Sequence, residues 1–128
     1  MRVLAVLAML APGCAVGAPL YTAAQAAAGA GFYAADCAGC HGADLRGVSG
    51  PPLVGAAFAA RGDGYTVGEV FNEVWEATPA GAPDSLSPWV YVDVMAYLLA
   101  RNGYGAGDFP MTFAGASKSN VAFYSRVK

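Results

Sequence analysis

Residues 37–41 read Cys-Ala-Gly-Cys-His, two thiols and an imidazole within five positions of a 128-residue chain that holds one histidine and three cysteines. Donors this close in sequence end on one short stretch of backbone, so whatever they hold becomes an anchor around which the chain must wrap. The length allows one domain and none beyond it. A chain of about 110 residues, the length left once an N-terminal leader is removed, buries only a modest core by itself, so a held group would serve as its central filler.

The leader is read from "MRVLAVLAMLAPGCAVGA": one positive charge at Arg2, an apolar run from Val3 to Leu10, then small residues. This pattern is that of a secretory signal, assigned to residues 1–18, and it directs the protein to the periplasm. A membrane span needs about 20 apolar residues, and Pro12 and Gly13 break the run well before that. Cys14 raises lipid attachment as an alternative, which Ala11 and Pro12 fit poorly. After cleavage only Cys37 and Cys40 remain, and in an oxidising compartment they must pair with each other or carry something.

Charge narrows the partners. Between Pro19 and Gly115 the basic residues are Arg46, Arg61 and Arg101, against all nine acidic residues of the chain, which argues against nucleic acid. Lys118, Arg126 and Lys128 give the C-terminus the opposite sign. The domain is assigned to residues 19–110, with residues 111–128 as a tail expected to be solvated and partly frayed.

The expected fold class is all-α: three helices and long loops. The first opens at Thr22, with Gln25 three residues on as its capping-box partner, and runs to about Asp36; Ala24, Ala28, Gly31, Phe32 and Ala35 share one face of it. The second opens at Thr66 with Glu69 in the same relation and runs to about Ala77, where Pro79 ends it. Its Val70, Phe71, Val74 and Trp75 lie opposite Glu69, Asn72, Glu73 and Glu76. The third starts with Ser87 as cap and Pro88 in the first turn, closes at Asn102 and Gly103, and is apolar nearly all round, as a core helix would be. Residues 42–65 form a glycine- and proline-rich loop long enough to line a site.

Two cysteines separated by two residues and followed at once by histidine are the attachment signal for c-type haem. Two thiols at this spacing suit thioethers to the two vinyl groups of one porphyrin, and the adjacent imidazole then falls under the iron. A zinc site competes, but it needs four ligands and the mature chain offers two thiols and one histidine. A redox dithiol would use the same Cys-x-x-Cys, in a βαβ context that this sequence lacks.

The segments "YTAAQAAAGAGFYAADCAGCHGADLRG", "GPPLVG", "APDSLS" and "YVDVMAYLLARNG" together resemble a class I c-type cytochrome, most nearly the small cytochromes associated with periplasmic quinoprotein alcohol dehydrogenases, over Tyr21–Gly103. The resemblance implies one haem c, thioethers at Cys37 and Cys40, His41 as proximal iron ligand, Pro51 giving its carbonyl to the outer imidazole nitrogen, and Leu53 packed on the porphyrin. It also implies a crossing of the terminal helices at Gly31, Phe32 and Tyr97, with the ring of Tyr97 seated on Gly31. Arg61 and Tyr65 are considered for the haem propionates, with a solvated loop as the competing account.

One position departs from that family. Where a methionine before proline supplies the sixth iron ligand, Thr78 stands before Pro79, and a hydroxyl is a hard, weak donor for such iron. Met111 and Met95 are the internal substitutes considered, beside an open position and a ligand from a partner. The resemblance implies an electron carrier rather than an enzyme, or the small haem subunit of a complex, working with a redox partner such as a periplasmic dehydrogenase or terminal oxidase. The alternative is a haem-based binder or sensor of small ligands, made possible by Thr78.

Overall fold

The computed structural model describes residues 17–128. Most of the segment read as a leader, including Cys14, lies outside the described residues. Five α-helices follow one another: α1 (Ala23–Asp36), α2 (Ala38–His41), α3 (Val67–Ala77), α4 (Pro88–Arg101) and α5 (Phe113–Ser117), with a 3-10 turn at Arg61–Asp63. Among the described residues no strand forms, only two isolated bridges, Thr22 with Gly107 and Thr66 with Ala122. The all-α expectation holds.

The three long helices start where their local chemistry starts them. Thr22 accepts from the Gln25 amide while the Gln25 side chain accepts from the Thr22 amide, and Thr66 and Glu69 repeat the arrangement on α3. Each box satisfies two amides that the first helical turn otherwise leaves without partners. Ser87 occupies the corresponding position on α4, but its side chain makes no capping bond; Pro88, which has no amide hydrogen to satisfy, starts the helix instead.

Helix α4 is the core. Val90, Tyr91, Val92, Val94, Met95, Ala96, Leu98 and Leu99 are all buried, and α1 packs chiefly along it. The face of α1 that makes this contact is not the expected one. Gly29 and Tyr33 are buried, whereas Ala24, Ala28, Gly31 and Ala35 are exposed. A Cβ placed on Gly29 would lie 1.8 Å from the Asp93 carbonyl oxygen and 3.0 Å from Tyr97 Cβ, while one on Gly31 would meet nothing within 4 Å. Gly29, not Gly31, is therefore the residue at the helix crossing. In a helix of alanine and glycine almost any face is small and apolar, so periodicity carries little information about which one faces inward.

The tail also differs from expectation. Met111 is buried, and Gln25 holds its backbone at both ends, accepting from its amide at 2.8 Å and donating to its carbonyl at 2.9 Å. Phe113 at the start of α5 meets Phe71 edge-on, with ring centroids 4.9 Å apart. Beyond α5 the chain runs back across the molecule: Val67, Gly68 and Phe123 donate to the carbonyls of Val121, Ser119 and Tyr65, and the Ser125 and Arg126 amides donate to the carbonyls of Ala59 and Asn102. Phe123, 1% exposed, stacks on Tyr104 and meets Phe58 edge-on. The segment read as frayed is a strap that closes the loop 53–66 onto the body.

Candidate functional site

Cys37 ends α1 by donating its amide to the Tyr33 carbonyl, and the next turn restarts at once as α2, with the Cys40 and His41 amides donating to the Cys37 carbonyl. Cys37 and Cys40 stand three positions apart and His41 four positions from Cys37, so the three side chains issue from one side of a single turn. The turn is fixed from outside as well. The buried Tyr33 hydroxyl donates to the Gly42 carbonyl at 2.7 Å, and the following loop folds back on it: Gly47 donates to the His41 carbonyl, and Val48 and Gly50 to that of Cys40.

This return brings Pro51 to His41. The imidazole Nδ1 and the Pro51 carbonyl oxygen are 2.7 Å apart; a carbonyl only accepts, so Nδ1 carries the hydrogen and Nε2 is the remaining lone-pair donor. The approach depends on Gly50. A Cβ there would sit 3.1 Å from both Cε1 and Nδ1 of the ring, tighter than ordinary packing allows. Leu53 beyond it is held through its carbonyl by the fully buried Asn102, whose amide nitrogen donates to it at 3.0 Å.

A cavity of about 920 Å³ opens beside these residues, near the top of the range for cofactor sites of roughly 300–1,000 Å³. One wall is Cys37, Cys40, His41 and the segment 49–53; Val94 and Leu98 come from α4; Val70, Val74, Thr78 and Pro79 form another wall. Tyr65 lines it too, but Arg61 does not: its guanidinium lies 4.3 Å from the ring of Tyr124. Neither methionine lines the cavity. Met95 is fully buried in the core, and Met111 faces a separate cavity of about 210 Å³ with Pro19, Leu20 and Val67.

Cys37 and Cys40 are both free thiols. Burial, then the Asp36 charge, then Cys40 push the Cys37 thiol up to about 11. No group of three or more His, Cys, Asp or Glu side chains able to hold a metal ion stands together among the described residues, which is against the zinc reading. The residues do fit a haem joined through two sulfurs: paired free thiols at the mouth of a large apolar cavity, one imidazole with Nδ1 anchored and Nε2 spare, and a backbone without a side chain at Gly50 beside the ring.

The sequence profile of the family described as cytochrome c oxidase, cbb3-type, subunit III, matches residues 24–98, more than half of the chain. The chain belongs to this family of c-type cytochromes. The matched span runs from the first turn of α1 to the last turns of α4 and contains the whole cavity wall from Cys37 to Pro79. Membership in this cytochrome family implies covalently bound haem c. Among solved structures, a chain in the crystal structure of the sulfane dehydrogenase SoxCD from Paracoccus pantotrophus is similar, with a TM-score of 0.59 and 26% sequence identity, covering 73% of this chain and 51% of that one. This cytochrome thus spans about half the length of that chain. No curated protein matches it. No helix among the described residues is long and apolar enough to cross a membrane.

Proposed function

We propose that this cytochrome carries one haem, joined at Cys37 and Cys40 and ligated by His41, and passes single electrons in an exported compartment to or from a larger redox enzyme. The observation that carries the reading is the 2.7 Å contact of His41 Nδ1 with the Pro51 carbonyl inside the cavity that both thiols line. An acceptor on Nδ1 fixes the tautomer and the ring orientation and makes Nε2 a stronger donor.

When bound, the haem supplies the one-electron couple. The chain orients and insulates it: Leu53, Val70, Val74, Val94 and Leu98 present apolar surface that keeps water from the cavity, and the Pro51 carbonyl holds the imidazole against rotation. None of these groups needs to move when one electron is gained, which keeps reorganisation small. Arg61, engaged with Tyr124, has no part here; Tyr65, at the cavity mouth, is the remaining hydrogen-bond donor for a propionate. The cbb3-type oxidase family and the likeness to a dehydrogenase structure both support a terminal oxidase or dehydrogenase as the partner, the cytochrome itself transforming no substrate.

The test is expression with export and haem maturation, followed by intact mass under denaturing conditions and a potentiometric titration. The expected result is a mass increment of one haem, lost in the Cys37→Ser, Cys40→Ser double variant, and a reversible one-electron titration. A protein that matures without covalent haem would overturn the reading.

A further inference from the structure

The donors available to a second axial position on iron can be counted. The only histidine is His41, and the only thiols among the described residues are those of Cys37 and Cys40. Of the four methionines, Met95 and Met111 fall in the described residues, and neither lines the cavity. On α4 the cavity residues are Val94 and Leu98, while Met95 points into the core; Met111 is tied by its backbone to Gln25 on the other side of α3 from Val70 and Val74 only through a rearrangement of that anchor.

Oxygen donors remain, and several are already engaged. The Thr78 hydroxyl donates to the Val74 carbonyl, at the end of α3, and the Thr78 carbonyl is itself held by the Tyr91 hydroxyl at 2.8 Å. The Glu69 carboxylate accepts from the Thr66 amide and hydroxyl, and the Tyr33 hydroxyl is given to Gly42. Val70, Val74 and Thr78 recur every four residues, so α3 offers the cavity an apolar stripe that ends in an occupied hydroxyl. Around it the charged lining residues are Asp36, Glu69 and Glu73, all exposed, and no lysine or arginine lines the cavity.

We propose that the iron face beside Val70, Val74, Thr78 and Pro79 receives no side chain of the described protein and takes a small neutral diatomic ligand, of the class of carbon monoxide and nitric oxide, in preference to an anion. The inference rests on the haem reading above. An apolar wall accommodates a small uncharged ligand without loss of hydrogen bonds, whereas azide must approach past three carboxylates with no cation to offset them. Weak donors such as hydroxyl oxygen compete poorly with such ligands for ferrous iron.

The exported, haem-loaded protein is the material for the test, followed by absorption spectra. Reduced protein is titrated with carbon monoxide and oxidised protein with sodium azide at low and high salt. The expected outcome is a shift of the reduced spectrum with carbon monoxide, and azide binding that is weak, strengthens with salt as the carboxylates are screened, and tightens a few-fold in Glu73→Gln, the scale of one exposed charge. Thr78→Met should return a thioether to the wall and weaken carbon monoxide binding at least tenfold. A low-spin reduced spectrum unmoved by carbon monoxide in the unaltered protein overturns the proposal, as does a carbon monoxide response that appears only in Met95→Leu or Met111→Leu. Azide that binds tightly and without salt dependence overturns the preference for neutral ligands. Covalent haem with no carbon monoxide response sinks this inference alone; absence of covalent haem sinks the haem reading itself.

Discussion

Gly29 and Gly31 are two positions apart on the same helix, and their consequences are opposite. At Gly29 a methyl group would have to occupy space 1.8 Å from the Asp93 carbonyl oxygen, so Gly29→Ala must push α1 off α4. Overpacking of this kind costs about 1–3 kcal/mol or more, and a domain of this size loses roughly 4–8 °C of melting temperature per kcal/mol. Gly31 is exposed with open space around it, and replacing a glycine inside a helix by alanine gains about 0.5–1 kcal/mol. Thermal unfolding of the two variants should therefore move in opposite directions, and a Gly31→Ala protein less stable than the parent would mean the crossing is misplaced. Sequence alone could not separate these glycines, since both lie in a run of small residues and only the path of α4 distinguishes them.

At the scale of the element, the long helices announce themselves and the strap does not. Capping boxes and Pro88 act within a few residues, so the bounds of α1, α3 and α4 are legible locally, whereas α2 and α5, of four and five residues, are too short to show a period. The strap from 118 to 128 is held by partners far away in sequence: Gly55 donates to Ser125 Oγ at 2.9 Å, Tyr104 Oη donates to the carbonyls of Ala122 and Tyr124, and the Arg126 guanidinium lies 3.9 Å from the Tyr104 ring centroid. Its one local signal is Phe123, a large apolar residue amid polar ones. Phe123→Ala should cost about 3–5 kcal/mol, as buried Phe truncations do. Because the strap braces the loop that supplies Leu53, Phe58 and Tyr65 to the cavity, amide exchange in residues 55–66 should accelerate more than exchange in α1. Uniform acceleration would show that the strap contributes stability without bracing that loop.

For the whole molecule, pH tests how tightly the parts are joined. The Tyr33 hydroxyl is buried at the junction of α1, α4 and the α2 turn, donates to Gly42, and has its pKa raised by burial from 10.0 to about 12. The folded state then holds a proton that the unfolded state releases at lower pH, so the contribution is fully present below about pH 10 and is lost as pH rises toward 12. Denaturant midpoints of the haem-loaded protein should fall across that window, and Tyr33→Phe, less stable at neutral pH because the Gly42 carbonyl loses its partner, should fall less steeply.

What the sequence by itself determined is whatever depends on neighbours along the chain: the turn that sets two thiols and an imidazole side by side, the starts of α1, α3 and α4, and the apolar character of α4. Pro51 and Leu53 were also named from sequence, through resemblance to a family, and the structure shows the hydrogen bond that joins Pro51 to His41. The tertiary structure alone decided which glycine meets α4, where the C-terminal strap runs, and that Met95 and Met111 turn away from the cavity while Thr78 faces it. Those outcomes depend on which surfaces meet after the chain has folded back on itself, and a side chain's type does not state what it will be pressed against.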